Sequence, residues 1–252
     1  MVAYLYLFLL GTIVGSFYNV CIYRLPKDQD IFLKSSSCRE CKQPIKWYYN
    51  IPVLGYFALL GKCSHCKKKI SPQYPLVEFV TGLLFVYIYS LNGLSFATGI
   101  SILFYSALLI IFFTDLNEYL ILDVITLPFT LVGITITLLG KNPFGVGIVE
   151  SLMGSLIGFS ILYLIRWFYL KYRNIEGMGL GDAKLLLFLG SWLGIKSILF
   201  ILLTSSISAL IVAIPIVLIT KNSKFPVPYG CFIVFSSILY PLFGETFYKL
   251  LS

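Results

Sequence analysis

Apolar residues run along this chain in long blocks, interrupted by short polar stretches and once by a long one. Blocks long enough to cross about 30 Å of hydrocarbon as helices cover residues 2–20, 75–91, 94–114, 119–140, 147–169, 197–220 and 229–250, with a shorter one at 183–195. The pattern predicts an all-α polytopic membrane protein of about eight transmembrane helices. The long polar stretch divides it into a first helix (1–23), a loop domain (24–74) and a helical bundle (75–252). The first block lacks a basic start and a small-residue cleavage site, and its positive charge follows it, so it reads as a retained span and not a secretory signal.

Composition agrees with the pattern. The 252 residues are 58% hydrophobic and 12% charged, where soluble domains carry about 25% charged residues. Charge then sets orientation. Ten of the 19 Lys and Arg fall between Arg24 and Lys69 against three acids (Asp28, Asp30, Glu40), and such a segment stays cytoplasmic. Threading eight spans from an outside amino terminus puts the 115–118 turn, the stretch from Arg166 to Asp182 and the loop from Lys221 to Lys224 on the same side. The net charge of +8 reports this topology and contact with anionic lipid. No nucleic-acid recognition motif accompanies it.

Within the polar stretch stand "CREC" (Cys38, Cys41) and "CSHC" (Cys63, Cys66), separated by 21 residues. Each pair puts two thiolates on one turn, and two turns close a tetrahedron around a structural zinc ion, which supplies folding energy that a loop of this size cannot draw from a core. Lys42, Lys62 and Lys67 favour the thiolate form. A reducing cytoplasm argues against disulfides. His65 reads as solvated, and Cys21 and Cys231 as small apolar residues inside spans. The aromatic-rich segment between the pairs, with Trp47, Tyr48 and Tyr49, suits the headgroup level.

Few acids touch the spans: Glu78, Asp115, Glu118, Asp123, Glu150, Asp182 and Glu245. Intramembrane acids are costly and so point to function. Asp115 and Asp182 both fall at cytoplasmic span ends. If they approach, one shares or keeps a proton while the other is a base, the requirement of aspartyl proteolysis. Asp182 ends "GMGLGD", where Gly177, Gly179 and Gly181 allow close backbone approach or positive φ and so room for an extended substrate strand. Asp182 also suits capping of the short helix that follows. Asp123, eight residues beyond Asp115 and about 12 Å deeper along a helix, is the rival acid and reads as a hydrogen-bonded structural group. Lys184 reads equally as a substrate contact or a snorkelling side chain.

These stretches, with "GSFYNVCIYRLP", "IKWYYNIPVLGY", "GKCSHC", "ISPQYPLVE", "TDLNEYLILDVITLP" and "GMGLGDAKLL" in that order, resemble the type 4 prepilin peptidases, bacterial GxGD intramembrane aspartyl proteases. The resemblance implies a bifunctional inner-membrane enzyme. It would cleave the basic leader of type 4 prepilins or pseudopilins, whose leader precedes an apolar helix, and then methylate the new amino terminus from S-adenosylmethionine. It implies Asp115 and Asp182 as the proteolytic pair, the four cysteines as zinc ligands, and Gly61, Lys62 and Glu78 as residues associated with methyl transfer. The chain departs from the family pattern at Arg39, Tyr49 and Leu122, none of them a proteolytic residue. Tyr49, in the cytoplasmic loop, leaves open a peptidase without methyl transfer. A transporter would place its acids at mid-membrane between two similar halves, and a zinc-binding scaffold for pilus assembly would make both aspartates dispensable.

Overall fold

Each of the eight apolar blocks becomes a helix in the computed structural model, which describes residues 2–31, 36–174, 178–220 and 226–251. In chain order these are α1 (Val2–Arg24), α3 (Gln73–Asn92), α4 (Phe96–Glu118), α5 (Asp123–Leu138), α6 (Ile148–Arg173), α7 (Leu180–Leu193), α8 (Ile195–Thr220) and α9 (Tyr229–Leu251), with a short α2 (Leu54–Ala58) in the loop. Six of them (α1, α3, α4, α6, α8 and α9) are long and apolar enough to cross a membrane. Helices α5, of 16 residues, and α7, of 14, are shorter. No strand is formed among the described residues, only the isolated bridges Ser37–Pro44 and Lys62–Lys69.

The chain forms two compact units, Met1–Ser106 and Ala107–Ser252. In the first, α1 and α3 cross at a seam of small residues. A Cβ placed on Gly11 would lie 2.8 Å from the Gly82 Cα, and one on Gly15 2.8 Å from the Glu78 Cα, so only glycine lets the two backbones meet. The spacing of Gly11 and Gly15 is the small-xxx-small pattern of lipid-embedded helix pairs, where tight van der Waals packing replaces the hydrophobic drive available in water.

The second unit repeats the device. Gly154 and Gly158 share that spacing on α6, and a Cβ on Gly190 of α7 would lie 2.3 Å from the Gly154 carbonyl carbon. Helix α7 is short because it is enclosed: from Leu185 to Leu193 nearly every residue is buried, including Phe188 and Trp192. The Trp192 indole donates to the Phe129 carbonyl at 2.7 Å, and Ser151 Oγ to the Ser191 carbonyl at 2.6 Å, so its few polar groups are paired.

One expectation changes. Asp123 does not lie deeper along the helix of Asp115. Helix α4 stops at Glu118, Tyr119 takes a left-handed φ of 54°, and the chain reverses, so Asp123 opens α5 as its first residue and is half-exposed. A bulky residue at positive φ cannot continue a right-handed helix, and a hydropathy pattern does not register that break.

Candidate active site

Four helix ends of the second unit carry the polar groups that matter. Asp115 stands in the last turn of α4, while Asp123, Asp182 and Cys231 stand in the first turns of α5, α7 and α9. Asp115 is only 4% exposed. The amide of Cys231 donates to its Oδ2 at 2.9 Å, and the Cys231 thiol donates to the Phe112 carbonyl at 3.2 Å, one turn before Asp115. The first turn of a helix has amides with no intrahelical partner, so the carboxylate satisfies α9 while α9 fixes the carboxylate.

Asp182 is the third residue of α7, after the cap position Gly179, and not the cap itself. Its carboxylate reaches back to accept from the Gly179 amide, the reciprocal half of a capping box. Gly179 has an ordinary φ of −68°, so close approach and not positive φ explains it: a Cβ there would come within 3.1 Å of Asp182 Oδ2. Gly177 lies outside the described residues.

Asp182 lies within electrostatic range of Asp115. The buried Ile121 side chain packs between their supports. A Cβ on Gly181 would meet Ile121 Cβ at 2.9 Å, and one on Gly230 would meet Ile121 Cδ1 at 2.8 Å and Asp115 Oδ2 at 2.9 Å. Lys184 pairs with Asp123 at 2.6 Å, and Arg166 Nη1 donates to the Met178 carbonyl at 3.0 Å, tying α6 to the approach of α7. Gly230 and Cys231 are site residues that the sequence reading misses. Their contribution is a backbone amide and an absent Cβ, and the sequence cue is only a Pro-Tyr-Gly turn at the head of an apolar run.

The first unit brings Cys38, Cys41, Cys63 and Cys66 together, their sulfurs all within 4.8 Å of one another and those of Cys38 and Cys66 3.8 Å apart. Four thiolates at about 2.3 Å from a tetrahedral zinc would be about 3.8 Å apart, so the donor set fits. The two pairs are built alike. The amides of Cys38 and Cys63 donate to the carbonyls of Gln43 and Lys68 at 2.9 Å each, those of Lys42 and Lys67 return to the cysteine carbonyls, and both lysines have φ 58°. Amides of Cys66 and His65 directed at the Cys63 sulfur draw its thiol down, whereas desolvation and the other three sulfurs push that of Cys66 up, so the cluster carries its negative charge unevenly. His65 is exposed and outside the cluster. A Lys68–Glu40 ion pair bridges the two turns, and its ammonium holds the Glu40 carboxyl below the usual range.

Glu78 of α3 is buried and accepts from the Val53 amide at 2.7 Å and from Ser16 of α1. Val53 sits at φ 62°, ψ −55°, and the Leu54 amide bonds the Pro52 carbonyl at 2.6 Å. This is a strained γ-turn, and the carboxylate braces it. Helix α2 starts there and leads to Gly61, buried at φ 66°, and the exposed Lys62.

Residues 9–91 match the model of the bacterial peptidase A24 N-terminal domain, and residues 102–214 that of the type IV leader peptidase family. A prepilin leader peptidase/N-methyltransferase of Pseudomonas aeruginosa is 33% identical over 94% of this chain and 89% of its own length. One of Aeromonas salmonicida is 31% identical over 95% and 90%, and one of Klebsiella pneumoniae 36% identical over 81% and 91%. No solved structure matches. With relatives this similar along nearly its whole length, the chain belongs to the type IV leader peptidase family.

Proposed function

We propose that this protein is a bifunctional enzyme of the bacterial inner membrane that removes the basic leader of type 4 prepilins or pseudopilins and N-methylates the new terminus. Its amino terminus faces outward, and the cysteine loop and aspartates face the cytoplasm. What supports the reading is that Asp115 and Asp182, acids from two helices far apart in sequence, are each held by a helix-start amide and are close enough for the charge of one to act on the other.

In the cleavage step the ionised carboxylate takes a proton from water as the water oxygen bonds to the scissile carbonyl carbon. The protonated partner gives its proton to the carbonyl oxygen. Collapse of the tetrahedral adduct breaks the C–N bond: the leaving amine takes the proton first drawn from water, and one hydroxyl of the adduct returns its proton to the other carboxylate as the new carboxyl group forms. Gly179 and Gly181 keep side chains away from this point, and Lys184 holds Asp123 in an ion pair. Asp123 is therefore a structural acid.

Methyl transfer belongs to the first unit. S-adenosylmethionine, a co-substrate, supplies the methyl group: the amine nitrogen forms a bond to the methyl carbon as the sulfonium S–CH3 bond breaks, S-adenosylhomocysteine leaves, and the nitrogen loses a proton. Glu78 braces Val53, and through α2 this positions Gly61 and Lys62. The four cysteines hold a structural zinc ion.

The test is a purified protein incubated with a prepilin and labelled S-adenosylmethionine, followed by mass measurement of the product terminus. Asp115→Asn and Asp182→Asn should each lower cleavage by about 10²- to 10⁴-fold, the scale of a lost general acid or base, while both variants insert normally. Asp123→Asn should retain partial activity. Full cleavage by either member of the pair would overturn the assignment, and loss with Asp123→Asn equal to that with Asp115→Asn would force its revision.

A further inference from the structure

Between the two cysteine pairs of the first unit lies a stretch of loop without charge. From Trp47 to Gly61, "WYYNIPVLGYFALLG", no acid or base occurs, and Lys46 and Lys62 bracket it. Trp47 is 79% exposed, Leu54 66%, Phe57 64% and Leu60 85%. Leu54 and Phe57 stand at i and i+3 on α2, whose buried Gly55 packs on the Tyr49 carbonyl, so the open side of this short helix is apolar.

The anchor of the stretch sets its depth. The Val53 amide, just before α2, is bonded to Glu78 of α3, which also accepts from Ser16 of α1. Glu78 stands five residues inside α3, about 7.5 Å from its start at Gln73, and Ser16 eight residues before the end of α1 at Arg24, about 12 Å. Both helices are long and apolar enough to cross a membrane. The bases that mark the surface, Arg24 and Lys27 after α1 and Lys67, Lys68 and Lys69 before α3, lie at or beyond those ends. The start of α2 is therefore held below the headgroups, at the depth of the exposed Phe17 and Phe79.

The backbone suits that depth. The amides of Val53, Leu54, Gly55, Leu59, Leu60 and Gly61 are all hydrogen-bonded within the protein, and position 52 is proline, which has none. Water would satisfy whatever a solvated loop left open, whereas hydrocarbon requires every amide to be paired. The Val53 amide precedes α2 and so has no helical partner, and Glu78 supplies one, which gives a carboxylate on a spanning helix a physical reason. We infer that residues 47–61 form a re-entrant element that enters the lipid beside α1 and α3 and returns to the same membrane surface, with Leu54, Phe57 and Leu60 against acyl chains. A soluble partner would have to reach this apolar side through the headgroups, and no charge on it directs one there. The inference does not rest on the proposed activities. It bears on one of them, because Gly61 and Lys62 follow directly and the return places them at the bilayer surface.

A fluorescent residue introduced at Phe57 or Leu60, and as a control at Gln43, exposed beside the first cysteine pair, tests the depth. Full-length protein is reconstituted in nanodiscs whose phospholipids carry bromine on the acyl chains, and separately in unlabelled nanodiscs with iodide in the buffer. At 57 and 60 the brominated chains should remove most of the emission and iodide little of it, and at 43 the order should reverse. Iodide quenching at 57 and 60 as strong as at 43 would overturn the inference. Protection of both positions from both quenchers, the result of a second copy or another protein seated on this side, would overturn it equally.

Discussion

A single methyl group distinguishes two states of the candidate site at Gly230. A Cβ there would lie 2.9 Å from Asp115 Oδ2 and 2.8 Å from Ile121 Cδ1. The isoleucine can swing its terminal carbon away, but the carboxylate oxygen is held by the Cys231 amide and can move only by breaking that bond. Gly230→Ala should therefore displace the Asp115 oxygen proposed to react, and since a shift of about 1 Å costs roughly 10²-fold in rate, kcat should fall about 10- to 100-fold while the protein remains folded. Steady-state cleavage together with a melting curve checks this, and an unaltered kcat would remove Gly230 from the site. At this scale the sequence is only partly informative. Asp115 and Asp182 stand out because an acid at the edge of an apolar run is costly, whereas Gly230 and Cys231 act through a missing Cβ and an amide, and every residue but proline has an amide. Cys231 reads as a small hydrophobe, and it is one; its thiol bonds a helix carbonyl. Glycines 179 and 181 are visible in the sequence, yet the physical reason for them, contact with Asp182 and Ile121, needs three helices in place.

The helices themselves follow the apolar blocks to within a few residues at most ends, because a segment in hydrocarbon must satisfy its own backbone and has no other regular choice. What the blocks do not encode is which helix is central. Helix α7 reads as a span that is too short, and at about 21 Å for 14 residues it is short of about 30 Å of hydrocarbon. Its burial by neighbouring helices resolves the difficulty, since it has lipid on few sides. The turn at Tyr119 is likewise silent in hydropathy, and it moves Asp123 from the helix of Asp115 to the start of the next. The α6–α7 contact supplies a prediction at this scale. Gly190→Val would force side-chain atoms onto the Gly154 backbone at a point where a Cβ already comes within 2.3 Å, and backbone cannot yield. Overpacking of this kind costs about 1–3 kcal/mol and sometimes more, so the variant should melt well below the parent or fail to accumulate. Gly99→Ala on α4, where a Cβ meets nothing within 4 Å, is the control and should be neutral or slightly stabilising. Equal melting temperatures for the two variants would show that α6 and α7 do not cross this closely.

At the scale of the molecule, the groups proposed for the two kinds of chemistry lie in different units: the cysteine cluster and the Glu78 brace in Met1–Ser106, Asp115 and Asp182 in Ala107–Ser252. The cysteine spacing is readable in the sequence, but the likeness of the two turns is not, because it consists of matched hydrogen bonds and a shared left-handed φ at Lys42 and Lys67. Between those turns the segment exposes Trp47, Leu54, Phe57 and Leu60, leaving little apolar burial to hold it together. A metal ion held by the four cysteines, zinc in the proposed reading, would then be the main source of order within this loop, its affinity becoming folding free energy. The strained turn at Val53 depends on the same order, since Glu78 can brace it only if the loop arrives at α3 in register. Joint replacement Cys38→Ser and Cys63→Ser takes one ligand from each turn, and a tetrahedral site with two thiolates lost should release its metal. If methyl transfer depends on Gly61 and Lys62 beside the second turn, as proposed, it should fall below detection, while cleavage by the proposed pair in the other unit should fall by less than the roughly tenfold that 1.4 kcal/mol represents. Metal analysis of the purified variant and mass measurement of the product terminus read the two effects independently. Zinc content equal to the parent's would exclude the cysteines as its ligands, and loss of cleavage as complete as loss of methylation would mean that the loop serves the aspartates as well.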